Sequence, residues 1–137
     1  MAERKLFAYS DGGARGNPGP AAIGVVLCDS EKEVILEFKQ AIGETTNNTA
    51  EYEAMIKALE LAAEKGAESV ECFSDSELLV KQLNGEYKVK KKHLRELFKE
   101  LKRKEEAFKE VAYKNVRRTD PLIQEADALV NEALDAE

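Results

Sequence analysis

The sequence predicts an α/β domain built on a five-stranded mixed sheet with helices on both faces. Three strand-like segments joined by short turns come first, at residues 5–10, 21–28 and 34–42. Two more strand-like segments, 69–74 and 111–116, then alternate with helical segments. Short connections favour antiparallel hairpins, whereas strands separated by helices favour parallel pairing. Three antiparallel hairpin strands should therefore share one sheet with two parallel strands.

The first strand-like segment, 5–10, alternates apolar and polar residues and is predicted to end at Asp11. A cluster of turn-forming residues follows: Gly12, Gly13, Gly16, Asn17, Pro18, Gly19 and Pro20. Segment 21–28 is almost wholly apolar, which is typical of a buried strand. Residues 29–32 are predicted to form a turn, and 34–42 the third strand.

Apolar residues then recur at helical spacing. A first helix continues to Gly66, which supplies its C-cap, and a short helix over 76–83 closes at Gly85. A longer helix has an apolar inner face made of Leu94, Leu97, Phe98, Leu101 and Phe108. Its outer face is predicted to hold Lys92, Arg95, Lys99, Lys102 and Arg103. Pro121 suits the first turn of a final helix.

Length and composition indicate a globular protein. A chain of 137 residues, 43% hydrophobic and 35% charged, suits a single domain, expected over residues 1–137. No apolar run approaches membrane-spanning length, and residues 1–5 lack a signal-peptide apolar region, so we expect a cytoplasmic protein without membrane association. Cys28 and Cys72 lie alone in apolar segments, without CxxC spacing, and are predicted to be buried reduced thiols rather than a zinc site or a redox pair, with a disulfide as the remaining alternative.

Charge is distributed unevenly along the chain. The net charge of −6 argues against broad electrostatic capture of nucleic acid. Residues 81–104, however, carry ten Lys or Arg and three Glu, a local net of +7 that leaves −13 for the rest. This asymmetry indicates a basic face on an acidic body, although a charge run alone is more often a solvated helix face.

Two acidic residues end predicted strands. Asp11 enters the glycine-rich turn, and turn geometry alone would explain it. Asp75 ends the fourth strand and starts the next helix, where it could equally be an N-cap. If the first and fourth strands are neighbours, both carboxylates lie at the carboxyl edge of the sheet, where α/β proteins bind ligands.

Two more acidic residues lie on apolar helix stripes. Glu51 could serve the dipole of the first long helix, and with Asn48 it resembles a capping box. It also shares a stripe with Met55, however, and should point toward the apolar side. Asp127 follows helical spacing with Ile123, Val130 and Leu134, which predicts a carboxylate in the core. A buried carboxylate needs a partner, either a Lys or Arg or a metal ion.

Converging carboxylates repel each other, which raises their pKa values, and a divalent cation relieves this repulsion. An all-oxygen ligand set favours Mg²⁺ or Mn²⁺ over zinc, and the chain offers no Cys/His ligand set. Two such ions can activate a water and stabilise the leaving oxygen of a phosphodiester. The residues therefore predict metal-assisted hydrolysis of a phosphate ester.

Four motifs occur in order and cover nearly the whole chain. They are Ser10-Asp11-Gly12-Gly13 with Gly16-Asn17-Pro18-Gly19-Pro20; Thr45-Thr46-Asn47-Asn48-Thr49-Ala50-Glu51; Ser74-Asp75-Ser76; and Glu125-Ala126-Asp127-Ala128-Leu129-Val130. Each motif alone is weak or moderately distinctive. Together and in this order they resemble the ribonuclease H type 1 family.

The resemblance implies a ribonuclease H-like fold and cleavage of the RNA strand of RNA–DNA hybrids, leaving 5′-phosphate and 3′-hydroxyl ends. It implies two Mg²⁺ ions, with Mn²⁺ as an alternative. The implied ligands are Asp11, Glu51, Asp75 and Asp127.

For the substrate, the resemblance implies that Asn17, Asn47 and Asn48 lie along the RNA near its 2′-hydroxyls. Gly12 would allow close backbone approach, and Thr46 would lie near a phosphate of the DNA strand. The basic segment 88–104 would meet the duplex backbone.

The chain departs from the family pattern in several places. Many members carry a His in the loop before the last catalytic Asp, whereas the only His here is His93, predicted to be a surface helix residue. Loop 115–121 offers Arg117 and Arg118 instead, and we hypothesise that Arg118 takes part of the histidine's role in product release. The chain lacks a Trp-bearing basic handle and an N-terminal hybrid-binding module, which predicts modest, salt-dependent affinity.

Three alternatives remain open at the level of sequence. A non-catalytic hybrid-binding domain is disfavoured, because bare carboxylates would repel phosphates in the absence of metal. A nuclease of the same fold could also act on double-stranded RNA. An acidic interaction module would require four ordered motifs to be fortuitous. No exposed apolar stripe demands a partner, so we expect a monomer.

Overall fold

The computed structural model describes residues 4–136, which contain a five-stranded sheet in the order β3-β2-β1-β4-β5. The strands are Lys5–Ala14 (β1), Gly19–Cys28 (β2), Val34–Thr45 (β3), Ser69–Ser74 (β4) and Glu110–Asn115 (β5). The helices are Asn47–Glu64 (α1), Glu77–Leu83 (α2), Lys92–Glu105 (α3) and Pro121–Asp135 (α4). The strand pairs β1–β2 and β2–β3 are antiparallel, and β1–β4 and β4–β5 are parallel. The predicted mixed sheet is confirmed.

Strand β1 is longer than predicted. It does not end at Asp11 but continues through Gly12 and Gly13, which pair with Ile23 and Ala22 of β2. The turn lies in residues 15–18, because pairing with β2 outweighs the turn preference of the two glycines. A Cβ on Gly12 would lie 2.2 Å from the carbonyl oxygen of Ala50. Glycine therefore lets α1 pack directly on the strand.

The helix-cap roles considered as alternatives for Glu51 and Asp75 are not found in the structure. Helix α1 is capped by Thr46, whose hydroxyl accepts a hydrogen bond from the amide of Thr49, so the capping box considered as the alternative for Asn48 and Glu51 does not form. Helix α2 is capped by Ser76 and not by Asp75. Local hydroxyls satisfy the free amides, which leaves both carboxylates available for other contacts.

Helix α3 is basic on its exposed face, but Lys102 is not part of that face. Its ammonium donates to the carbonyl of Leu83 at 3.0 Å and lies 3.1 Å from a Glu105 carboxylate oxygen. The long side chain folds back over the end of α2 and covers apolar surface on the way. Phe108 lies beyond the end of α3 and still packs against the core.

The sheet has a core on each face. Helices α1, α2 and α3 pack on one side, and α4 packs on the other against residues that include Tyr9, Val26 and Phe73. Cys72 belongs to the first core and Cys28 to the second, and both are buried free thiols as predicted. Within residues 4–136, no helix is both long enough and apolar enough to cross a membrane.

Candidate active site

The fold brings four acidic side chains from four different elements to one cavity of about 700 Å³. Asp11 comes from β1, Glu51 from α1, Asp75 from the residue after β4, and Asp127 from α4. The parallel pairing of β1 with β4 reaches Tyr9 opposite Phe73. Asp11 and Asp75 each lie two residues further along and so reach the same edge of the sheet. This confirms that the first and fourth strands are neighbours.

Asp11 lies in an environment that disfavours the charged form of its carboxyl group. Burial raises its pKa from 3.8 to about 8, assisted by the negative charges of Asp75, Asp127 and Glu51 and by a hydrogen bond shared with Asp127. A hydrogen bond between two carboxyl groups requires that one of them hold a proton. Without a cation, this cluster therefore retains protons near neutral pH.

Glu51 lies in a similar environment. Burial raises its pKa to about 7, with a smaller contribution from the charge of Asp75, although a hydrogen bond with Ser76 acts in the opposite direction. The prediction that Glu51 points inward rather than to solvent is confirmed by its half-buried position. Strongly perturbed carboxyls in a cleft are typical of functional sites.

The prediction that Asp127 is buried in the core is wrong. Its side chain is exposed, and the buried face of α4 consists of Ile123, Ala126, Leu129, Val130, Ala133 and Leu134. At 100° per residue, Asp127 stands roughly 80° from the centre of that face. It therefore lies at the edge of the stripe, where it borders the cavity and contacts Asp11 instead of entering the core.

Two arginines border the same cavity. The Nε of Arg118 is 3.7 Å from a carboxylate oxygen of Asp75, and the arginine side chain is 92% exposed. Arg15, in the turn after β1, bonds to Asn131 and Asp135 of α4. Exposed guanidinium groups neutralise only part of the clustered charge, since solvent screens them.

The asparagines of the first two motifs connect the turn after β1 to helix α1. The side-chain oxygen of Asn17 accepts from the amide of Asn47 at 3.1 Å, and that of Asn47 accepts from the amide of Ala14 at 2.7 Å. Both residues thus have a structural role that sequence alone did not indicate.

A second cavity of about 330 Å³ lies beside the start of α1 and α3. Asn17, Thr46 and Asn48 line it together with Lys91 and His93. His93 is exposed on α3, so its prediction as a surface helix residue is confirmed. Hydroxyl and amide groups next to two basic side chains form an environment that favours an anion.

Sequence reasoning assigned no role to four polar residues that line the acidic cavity: Arg15, Ser76, Gln124 and Asn131. The position of Asn131, four residues after Asp127 on one helix, was an available signal. Arg15 is the only cation in the turn after β1, but its partners on α4 are distant in sequence.

Carboxylate oxygens are the ligands that Mg²⁺ and Mn²⁺ prefer. The raised pKa values of Asp11 and Glu51 show that their negative charges are unfavourable here, and a bound cation would stabilise them. In the arrangement seen, no three Asp, Glu, His or Cys side chains within residues 4–136 form a ready-made metal set. The ligand chemistry fits a divalent cation, and the carboxylates would have to close around it.

Comparison with known proteins agrees with this architecture. Residues 9–133 match the family described as reverse transcriptase-like. The chain is 41% identical over 131 residues to Ribonuclease HI of Halobacterium salinarum. The matched region covers 96% of this chain and 65% of that protein. It is 40% identical over 133 residues to the bifunctional protein Rv2228c of Mycobacterium tuberculosis, covering 96% of this chain and 36% of that protein. The chain thus spans less than two thirds of these relatives.

Solved structures give the same result. RNase H1 from Halobacterium salinarum superposes with a TM-score of 0.93 at 41% identity, covering 97% of this chain and 99% of that one. LC11-RNase H1, solved in complex with an RNA/DNA hybrid, gives a TM-score of 0.89 at 43% identity, covering 96% and 97%. Fold and family model together define a reverse transcriptase-like domain. The chain belongs to the ribonuclease H type 1 family.

Proposed function

We propose that this chain is a metal-dependent endonuclease that hydrolyses the RNA strand of RNA–DNA hybrids. The observation that carries the proposal is the convergence of Asp11, Glu51, Asp75 and Asp127 on one cavity at the edge of the sheet. The relatives named ribonuclease H, and the hybrid bound to LC11-RNase H1, support the choice of substrate. All four carboxylates come from one chain, so we propose one nuclease domain that acts as a monomer.

We further propose that the four carboxylates hold two divalent cations, Mg²⁺ or alternatively Mn²⁺. Such ions would supply activation of the attacking water and stabilisation of the leaving oxygen, giving 5′-phosphate and 3′-hydroxyl ends. The chain's own part is to present Asp11 and Asp75 from a rigid sheet edge and Glu51 and Asp127 from two flanking helices.

The second cavity supports a substrate path next to the metal site. Asn17, Asn47 and Asn48 would lie along the RNA strand, and Thr46 would contact a phosphate of the DNA strand. The main chain at Gly12 would allow close approach of the substrate. The exposed lysines of segment 88–104 would meet the duplex backbone and make binding depend on salt.

Arg118 would assist product release in place of the loop histidine found in many relatives. Its contact with Asp75 supports this role. Replacing it, Arg118→Ala, should slow multiple-turnover cleavage, and the matched control is Arg117→Ala, an exposed neighbour outside the cavity lining. Equal turnover of wild type and Arg118→Ala would remove Arg118 from the mechanism.

The substrate class is tested by incubating end-labelled RNA–DNA hybrid, double-stranded RNA and double-stranded DNA side by side with the protein and Mg²⁺, Mn²⁺ or EDTA. We expect metal-dependent cutting of the RNA strand of the hybrid, with products that carry 5′-phosphates. Cleavage of double-stranded RNA at a comparable rate would widen the substrate class. Intact duplexes with every metal, together with retained hybrid binding, would instead indicate a non-catalytic binding domain.

A further inference from the structure

Asp127 differs from the other carboxylates of the cavity because burial does not hold it in place. An exposed side chain on a helix ordinarily samples several rotamers. Here the side-chain amide of Asn131 donates to the Asp127 carbonyl at 3.2 Å and to the carboxylate Oδ2 at 3.4 Å. One amide group thus bridges the backbone and side chain of Asp127, which restricts the direction in which the carboxylate points.

Asn131 is held in turn by Arg15. The guanidinium Nη2 donates to Asn131 Oδ1 at 3.3 Å and lies 2.7 Å from Asp135 Oδ1. An Asn side chain has one accepting oxygen and one donating nitrogen. Because Arg15 occupies the oxygen, the nitrogen is turned toward Asp127.

Arg15 belongs to the turn that also carries Asn17, and Asn17 accepts a hydrogen bond from Asn47 at the start of α1. One turn is therefore bonded to the helix that carries Glu51 and, through Arg15, to the helix that carries Asp127. The same turn directly continues β1, which carries Asp11. This geometry links the relative placement of three carboxylates to a single loop.

We propose that Asn131 and Arg15 are positioning residues that set the orientation of Asp127 toward a divalent cation. The inference rests on the proposed function, because it assumes that Asp127 is a ligand. The alternative is that Arg15 forms an ordinary surface ion pair, since its side chain and that of Asp135 are 49% and 68% exposed. Ordinary surface pairs contribute little to stability, and they would leave metal affinity unchanged.

The test measures Mg²⁺ affinity by isothermal titration calorimetry for Asn131→Ala, Arg15→Ala and the double variant, with melting temperatures recorded without metal. The matched control is Lys39→Ala, which removes another exposed ion pair to α4, the 3.4 Å pair of Lys39 with Glu132, away from the cavity. Partners that orient metal ligands typically contribute about 10- to 100-fold to metal affinity, so for this exposed network we expect a loss of about threefold to tenfold.

Both single variants should bind Mg²⁺ more weakly than Lys39→Ala, which should match wild type. The double variant should be little weaker than either single variant, because both residues act through one chain of contacts. Wild-type Mg²⁺ affinity in both single variants would overturn the inference, whatever happens to the melting temperature. If the wild type itself neither binds Mg²⁺ nor cleaves hybrid, the proposed function fails as well, whereas wild-type binding and cleavage with unaffected variants defeats only the positioning role.

Discussion

Ionisation of Asp11 makes the free energy of unfolding depend on pH. Its pKa rises from 3.8 to about 8 on folding, so the folded state binds the proton more tightly than the unfolded chain. This contribution to the free energy of unfolding is fully present below pH 3.8 and is lost as the pH rises through about 8. At alkaline pH the metal-free protein therefore holds a charge that opposes folding.

Replacing Asp11 with Asn should accordingly stabilise the metal-free protein at pH 8, by roughly 2 kcal/mol, because a buried charge is removed. At pH 5 the stabilisation should be smaller, because the folded carboxyl is still protonated and ionisation above pH 3.8 favours only the unfolded chain, an advantage that grows as the pH rises toward 8. Urea denaturation in EDTA at both pH values checks this. An Asp11→Asn variant less stable than wild type at pH 8 would contradict the assigned electrostatics.

Gly12 makes a second prediction at the scale of one residue. Gly12→Ala places a methyl group 2.2 Å from the Ala50 carbonyl oxygen, and both groups belong to rigid elements, so we expect a loss of about 3 kcal/mol. The matched control is Gly13→Ala, whose added Cβ meets nothing closer than 4.0 Å. Equal melting temperatures for the two variants would show that α1 and β1 can separate without cost.

At the scale of elements, two lysines in and next to α3 should have different roles, one in nucleic-acid binding and the other in stability. Lys91 lies at an exposed position beside the second cavity, and Lys91→Gln should weaken hybrid binding. Loss of one phosphate contact should also lower the slope of log Kd against log salt concentration by about 0.9.

Lys102→Gln should instead lower the free energy of unfolding by roughly 1 kcal/mol, since it loses the contact with the Leu83 carbonyl. Fluorescence anisotropy over a KCl series measures hybrid binding, and urea denaturation measures stability, for both variants. The reverse pattern would place the nucleic-acid contact elsewhere.

Periodicity predicted the type of every helix and strand between residues 4 and 136. It did so because each helix packs an apolar face on the sheet and each strand contributes residues to the cores that the helices cover. The ends were predicted less well. Strand β1 passes through Gly12 and Gly13 because β2 supplies hydrogen-bond partners, and the caps of α1 and α2 fall on Thr46 and Ser76. These details depend on tertiary neighbours that local preferences do not encode.

The same distinction applies to the site. Motifs predicted which four carboxylates to consider, and the sheet topology explains why two of them meet. The exposure of Asp127 was missed because helical spacing defines a stripe but not its exact limits. Arg15 and Asn131 were missed because 116 residues separate them in the chain.

For the molecule as a whole, metal binding and protonation should compete. Mg²⁺ at about 100 times its Kd would stabilise the fold by about 2.7 kcal/mol. This stabilisation should be largest at pH 8 and smaller at pH 5, where protons occupy Asp11 and Glu51, whose pKa values are raised to about 8 and about 7. Thermal melting with and without EDTA measures it. Equal stabilisation at both pH values would place the ion outside this cavity.

The central proposal is that the clustered carboxylates hold the divalent cations needed to hydrolyse RNA within a hybrid, and Asp75→Asn tests it most directly. Purified wild type and variant are incubated with end-labelled hybrid in Mg²⁺ or in EDTA. Groups that merely orient a metal ligand contribute about 10- to 100-fold, so loss of a direct ligand should slow cleavage at least about 100-fold. We expect RNA-strand cleavage by wild type in Mg²⁺ alone, with the variant still binding the hybrid. Cleavage by Asp75→Asn at the wild-type rate, or by wild type in EDTA, would contradict the assigned site.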